Sequence, residues 1–328
     1  PRAEEMLMLA HSRLNSASHT LFTEEGIWKE SAPGYINYIL RLMKDAQRLN
    51  RYSSRFNPEL FLNRMSTCAD FLLKCLTPDL RIPWVGSSGM KYLSPSIEKM
   101  IVKMNGSSIE EQLVELSNSI QSFPSYGQVI VRGSHPYGMY MNFTACQNLP
   151  AGKRHADALS FILYNWGRNW ITEGGHQSYE HNKMRAYLES PFAHNSYVFG
   201  DTYVAPRKEP HLKTKIGDVI AGQTTFTISG YSERYMGNAS VTRIIDIEKD
   251  YQSLVITDQI CSQDENNKWY GFLHFPPDLK VERKKQVILV KDTEREQLMK
   301  IVFEGEQEMN FNIFSGQSEP VIRGWGMH

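Results

Sequence analysis

The sequence lacks the marks of several large functional classes. It has no excess of either charge: 36 lysines and arginines face 36 aspartates and glutamates. Net charge therefore gives no sign of a nucleic-acid partner. No apolar run approaches the length of a membrane span, and none is expected. Cysteine is scarce. Cys68, Cys75, Cys146 and Cys261 form no CxxC pair, the spacing that marks many zinc and dithiol sites. Cys68 and Cys75 lie two helical turns apart on one apolar face, which favours buried thiols over a disulfide and leaves the redox compartment open. There is no GxSxG elbow, no phosphate loop and no dinucleotide fingerprint. No signal-peptide pattern opens the chain. It starts PRAEEMLMLAH, already helix-like, so we expect it to begin inside a domain.

What is present is enough apolar content, 41% of 328 residues, for a sizeable core. The first part has helical grammar. APGYINYILRLMKDAQRLN puts Ile36, Ile39, Leu40 and Met43 on one stripe. In NPELFLNRMSTCADFLLKCL, Asn57 can cap and Pro58 suits the first turn. Phe61, Met65, Cys68, Leu72 and Cys75 then follow the helical period. Ser94 and Pro95 start a further helix, and Ser108 with Glu111 has the spacing of a capping box. The grammar changes at FPSYGQ. From there short strand-like runs recur between turn residues, from QVIVRG and LSFILYNW to KQVILVK, MKIVFEG and NFNIF. A block of helices followed by many strands reads as α then antiparallel β. We expect a helical part over 1–124 and a β part over 125–328.

Three stretches hold candidate chemistry: WKESAPGYINY, KRHADALSFILYNWGRNWITEGG and SPFAHNSYVFGD. In the first, Tyr35 opens an apolar helix close to Glu30; simple packing of an aromatic is the alternative. In the others, His155, Glu173 and His194 make a donor set usual for zinc with one open position. Spacing does not force them together, and three unrelated polar residues at strand ends is the competing reading. His135 lies in a Gly-containing loop of the kind that lines sites, although a surface histidine explains it equally. Tyr137 and Tyr179 are among aromatics on which sugar rings could stack, or they belong to the core. Arg154 and Arg185 complete the set of candidate substrate contacts with Glu30, His135, Tyr137 and Tyr179. Asn238, in NAS, matches a glycosylation acceptor.

Taken in order, EEGIWKESAPGYIN, AGKRHADALSFILYNWG, WITEGG and SPFAHNSYVFGD resemble the heparinase II/III-like family of polysaccharide lyases. The family pattern runs "DG…E-S-P-x-Y-H", "G-H-x-H-A-D-x-L-S-F", "G…D-x-G" and "A-H-N". RIIDIEKDYQSLVITDQI, FLHFPPD and GWG look like its second half. The resemblance implies a multidomain α+β protein, with the helical segment of an incomplete (α/α) toroid followed by a large antiparallel β-sandwich. It implies an acidic, uronic-acid-containing polysaccharide as substrate and β-elimination as reaction. A group must neutralise the uronate carboxylate, a base must take the C-5 proton and an acid must protonate the leaving oxygen.

By the same resemblance, Tyr35 is the family tyrosine, acting as base, acid or both. His155, Glu173 and His194 occupy the positions of ligands to one structural zinc. The chain departs from the pattern in several places. Lys153 replaces the first histidine of the His-x-His pair; a lysine could neutralise a carboxylate but is a poorer acid–base unless its pKa is depressed. Ile36 follows the tyrosine where histidine is usual, and Glu173 stands for aspartate. The neutralising Asn or Gln of the family is expected upstream of Pro1, with Asn15 the nearest candidate in this chain. These departures leave a uronate C-5 epimerase or other biosynthetic relative, and a non-catalytic glycan-binding protein, as alternatives. Family analogy favours an exported protein.

Overall fold

The computed structural model describes residues 2–30, 32–49, 58–89, 91–145, 155–176, 180–199, 213–233, 239–262, 268–305 and 309–317. Five helices come first: α1 (Arg2–Thr20), α2 (Pro33–Leu49), α3 (Pro58–Cys75), α4 (Pro95–Asn105) and α5 (Ile109–Glu115). The expected stripes face inward: Ile36, Leu40 and Met43 of α2 and Phe61, Met65, Cys68, Leu72 and Cys75 of α3 are buried in one core. The capping box of α5 forms, with the Glu111 N–H donating to Ser108 Oγ and the Ser108 N–H to Glu111 Oε2. The α4 cap is different. The Ser94 hydroxyl reaches Asn37 Oδ1 at 3.3 Å on α2 rather than its own helix, so it ties two helices together. Asn57, the expected cap of α3, lies outside the described residues.

These helices do not form the ring of hairpins that a toroid requires. Instead α3 packs against α1, α2, α4 and α5. The physical reason is its composition. Beyond the single stripe, Ala69, Phe71 and Leu73 are also buried, so α3 is apolar on several faces and serves as a hub. Among the described residues, no helix is long and apolar enough to cross a membrane.

A short pair, β1 (Arg81–Ile82) and β2 (Lys91–Tyr92), interrupts the helices. The main sheet follows as an antiparallel meander of β3 (Ser119–Phe123), β4 (Gln128–Arg132), β5 (Tyr140–Thr144), β6 (Ser160–Asn165) and β7 (Arg168–Ile171). β3 starts earlier than the sequence grammar suggested, because Asn118 takes a left-handed conformation with φ 54° and ends the helical path. After α6 (Lys183–Glu189), β8 (Tyr197–Phe199) pairs with β13 (Trp269–Gly271). β9 (Thr214–Ala221), β10 (Thr225–Ser232), β11 (Ala239–Glu248) and β12 (Leu254–Ser262) make a four-stranded sheet. β14 (Lys280–Lys284), β15 (Val287–Asp292) and β16 (Gln297–Val302) make a three-stranded one. All described pairings are antiparallel and no described sheet closes into a barrel. NFNIF, read as a strand, is not one.

The five-stranded sheet is the middle layer. β4, β5 and β6 are buried along their whole length, and strand alternation divides their side chains between two cores. Ile130, Tyr140, Ile162 and Tyr164 join the helical core. Val129, Val131, Met141, Phe143, Phe161 and Leu163 join a second core with Ile228, Val241, Ile245, Ile247, Ile288 and Val290 of the other sheets. Each such side chain contributes about 1.5–3 kcal/mol on burial. The close approach of β10 explains Gly230: a Cβ there would stand 2.7 Å from the Phe143 ring and 2.9 Å from Leu159.

Polar contacts pin the helical layer to this sheet. Arg132 donates to the Lys74 carbonyl at 2.9 Å and to that of Leu76, while Tyr140 OH donates to the Cys75 carbonyl at 2.7 Å. Three carbonyls at the C-terminal end of α3, which have no helical partners, are thus satisfied from the sheet. The positive guanidinium also suits that end of the helix.

Candidate functional site

In an antiparallel meander, successive loops alternate between the two ends of the sheet. The pairings Gln128↔Thr144 and Thr144↔Ser160 put the 124–127 turn, the residues leading into β6 and those leaving β7 at one end. The 133–139 loop and the turn at Trp166–Gly167 occupy the other.

His155, Glu173 and His194 meet at the first end. All three are buried, at 1%, 3% and 1% exposure. His194 Nδ1 pairs with Glu173 Oε2, and the Ser160 hydroxyl donates to Glu173 Oε1. The His155 and His194 rings lie edge to face with centroids 5.4 Å apart. Two imidazoles and a carboxylate suit zinc by donor type. As placed, Glu173 engages His194 and Ser160, and among the described residues no three such donors stand in metal-binding geometry.

Asn195 holds this cluster together. It is fully buried. Its Nδ2 donates to the Phe161 and Thr172 carbonyls at 2.7 and 2.8 Å, its Oδ1 accepts from the His274 N–H at 2.7 Å and its own N–H donates to Ser160 Oγ at 2.9 Å. His274 is clamped beside it. Its carbonyl accepts from the Thr172 N–H at 3.0 Å and its Nε2 donates to the Phe192 carbonyl at 3.0 Å. Burial, with nearby His194 acting in the same direction, pushes the His274 imidazole down to about 4. It is therefore neutral at pH 7 and keeps its proton on Nε2. Ala156 N–H donates to the Glu189 carbonyl at 2.9 Å and Gly174 N–H to that of Ala193 at 3.1 Å, so α6 and the 3₁₀ turn after it flank the same end.

The segment carrying Glu30 and Tyr35 is fastened there too. The Glu25 carboxylate accepts from Ser125 N–H at 2.8 Å, from Tyr126 N–H at 3.1 Å and from the Ser125 hydroxyl. Tyr126 OH donates to the Glu30 carbonyl at 3.0 Å. The Glu30 carboxylate accepts from Trp28 Nε1 at 3.1 Å, and Trp28 packs edge-on against Phe22. Five residues on, Tyr35 sits half-buried in the first turn of α2. Gly34 N–H donates to Ser88 Oγ at 2.8 Å, which fixes the start of that helix. Ile36 is fully buried in the helical core, so the position where the family has histidine is a packing position here.

The other candidates fall elsewhere. Arg185 flanks the site on α6, but it is buried and its Nε pairs with Glu189 at 2.8 Å. His135 and Tyr137 belong to the 133–139 loop at the opposite end of the sheet. The five residues of β4, at about 3.3 Å each, set the two ends roughly 15 Å apart. The two residues thus do not join the cluster, because an odd number of strands separates their loop from it. Burial and Arg132 lower the His135 pKa, and Tyr137 is 71% exposed. Lys153, Arg154 and Tyr179 lie outside the described residues, as does Asn238. Ser160, Asn195, His274 and Arg243 are the members that sequence reading missed. Each sits inside a quoted stretch: Ser160 in ALSF, Asn195 in AHN, His274 in FLHFPPD and Arg243 at the head of RIIDIEKDYQSLVITDQI.

The fold recurs in solved structures. The chain superposes on one described as the heparinase III BT4657 gene product with a TM-score of 0.67 and 14% identity, covering 85% of this chain and 45% of that one. For heparan sulfate lyase HepC from Pedobacter heparinus the TM-score is 0.68 and the identity 14%, with 85% and 46% covered. The chain therefore spans less than half the length of either. A comparison with curated protein sequences gives no match. The model of the heparinase II/III-like C-terminal domain matches residues 116–319, from the end of α5 to beyond β16. This chain belongs to the heparinase II/III-like family.

Proposed function

We propose that the protein is part of a polysaccharide lyase that cleaves a uronic-acid-containing acidic polysaccharide by β-elimination. The observation that carries this reading is the gathering of His155, Glu173 and His194 at the sheet end to which the Glu30–Tyr35 segment is fastened. The described heparan sulfate lyases of the same fold support the substrate class. We also read the five- and four-stranded sheets as the halves of a sandwich, on the strength of their common core.

In the proposed reaction, Tyr35 takes the C-5 proton of the uronate, returns a proton to the leaving oxygen, or does both. A tyrosine can act as base only where nearby positive charge favours its phenolate; Lys153, two residues before the buried His155, is our candidate for that charge and for neutralising the uronate carboxylate. Arg154, Tyr179 and Glu30 remain proposed substrate contacts. His155, Glu173 and His194 are proposed to hold one zinc, supported by donor type and joint burial. Bound there, the metal would cross-link three segments of the sheet end. About one zinc per chain is expected on elemental analysis, and His155→Ala or His194→Ala should lower metal content and melting temperature together. Metal-free protein that melts unchanged after chelator treatment would sink this assignment.

The lyase reading is tested by incubating the protein with heparan sulfate and other uronate polysaccharides. Ultraviolet absorbance of the unsaturated uronate should rise, and Tyr35→Phe should abolish the rise. Lys153 in place of histidine gives the epimerase reading its one specific support. In that case solvent deuterium would enter C-5 without any rise. Glycan binding with neither signal would leave a non-catalytic module.

A further inference from the structure

Arg243 lies on β11 of the four-stranded sheet, yet its side chain ends beneath the site. It is 3% exposed. Its Nη1 donates to the Leu159 carbonyl at 2.6 Å and to the Asn195 carbonyl at 2.8 Å. Its other edge forks onto Asp258 of β12, with Nε to Oδ1 at 2.8 Å and Nη2 to Oδ2 at 3.2 Å. The Tyr197 hydroxyl donates to the same carboxylate. The guanidinium lies over the rings of Tyr197 and Phe161, 4.8 and 5.6 Å from their centroids. Burial works against the charge, but Asp258 and Tyr197 outweigh it and hold the arginine pKa above its ordinary value.

The two carbonyls that Arg243 holds are those that set the site. Leu159 has a φ of 63°, a left-handed conformation that a leucine adopts at a cost. It ends the segment that begins with His155. Asn195 follows His194, and its N–H fixes Ser160, which in turn donates to Glu173. A hydrogen-bonded chain thus runs from Asp258 through Arg243, Asn195 and Ser160 to Glu173 and His194. We infer that Arg243 is a positioning residue, a strut from the second sheet that sets the mutual placement of His155, Glu173 and His194. A lysine could not replace it, because an ammonium cannot serve a carboxylate fork and two carbonyls in one plane. This rests on the reading of that cluster as the working end of the protein.

The test compares Arg243→Lys with Arg132→Lys. Arg132 is equally buried, but it serves the end of α3 and neighbours His135. Histidine-ring NMR signals are recorded for both folded variants, alongside kcat and KM on heparan sulfate. Arg243→Lys should shift the His155, His194 and His274 signals and leave His135 in place. It should also lower kcat by about 10- to 100-fold, with KM little changed. Arg132→Lys should shift His135, leave the other three and keep kcat. Unchanged site signals in folded Arg243→Lys, or equal changes in both variants, would overturn the inference. Should Arg243→Lys not fold, Asp258→Asn carries the test: it keeps the guanidinium but loosens its fork, and the same signals must move. An inactive wild type would refute the lyase reading while the ring signals still report on Arg243. Unmoved signals in an active enzyme would refute the strut alone.

Discussion

Replacing Asn195 by alanine should destabilise the β part by roughly 3 kcal/mol, because it orphans three buried backbone groups. The Phe161 and Thr172 carbonyls lose Nδ2 at 2.7 and 2.8 Å, and the His274 N–H loses Oδ1 at 2.7 Å. Asn195 is fully buried. At the low end of the penalty, about 1 kcal/mol for each orphaned group, the sum is about 3 kcal/mol. For a domain of some 200 residues this corresponds to a fall in melting temperature of roughly 6–12 °C. Urea titration of wild type and Asn195→Ala, with equal m-values, would give the difference directly. A cost below about 1 kcal/mol would mean, contrary to this expectation, that the three groups find other partners when the amide is gone.

Other outcomes follow from single contacts. Tyr140→Phe removes the 2.7 Å bond to the Cys75 carbonyl and should cost about 1–2 kcal/mol in the same titration. Glu25→Gln weakens the clip on Ser125 and Tyr126; it should raise protease sensitivity between Phe22 and Tyr35 before it changes the melting of the β part. Asp292 faces a burial penalty that the Arg168 ion pair and the Arg295 and Glu294 N–H groups outweigh, so its folded pKa lies below the usual 3.8. Its contribution is therefore present above that value and lost as pH falls through the folded pKa. Asp292→Asn should flatten the decline in stability below about pH 4, measured by acid unfolding.

Much of the fold was legible because it rests on periodicity. The stripes of α2 and α3 and the strands β4, β5, β6, β10 and β11 all show their buried faces in sequence. β3 was hidden because SNSI continues a plausible helix, and only the left-handed Asn118 breaks it. The hub role of α3 was hidden as well, since its extra apolar faces look like a richer version of one stripe. At the site, the order of motifs pointed to His155, Glu173 and His194, which lie together at one sheet end; their role is part of the proposal. The location of His135 and Tyr137 was legible from topology: counting strands puts their loop at the other end of the meander. The role of Arg243 was not legible: it opens the quoted stretch RIIDIEKDYQSLVITDQI, but 48 residues of chain separate it from the Asn195 carbonyl it holds.

The lyase reading proposes that cleavage proceeds by elimination. Its most direct measurement is mass spectrometry of the products formed from a uronate polysaccharide in heavy-oxygen water. Elimination consumes no water, so products quenched before the freed reducing end exchanges oxygen with solvent should be unlabelled and carry a terminal unsaturated uronate, absent with Tyr35→Phe. Heavy oxygen at the cleaved bond, or an equal yield from Tyr35→Phe, would contradict it.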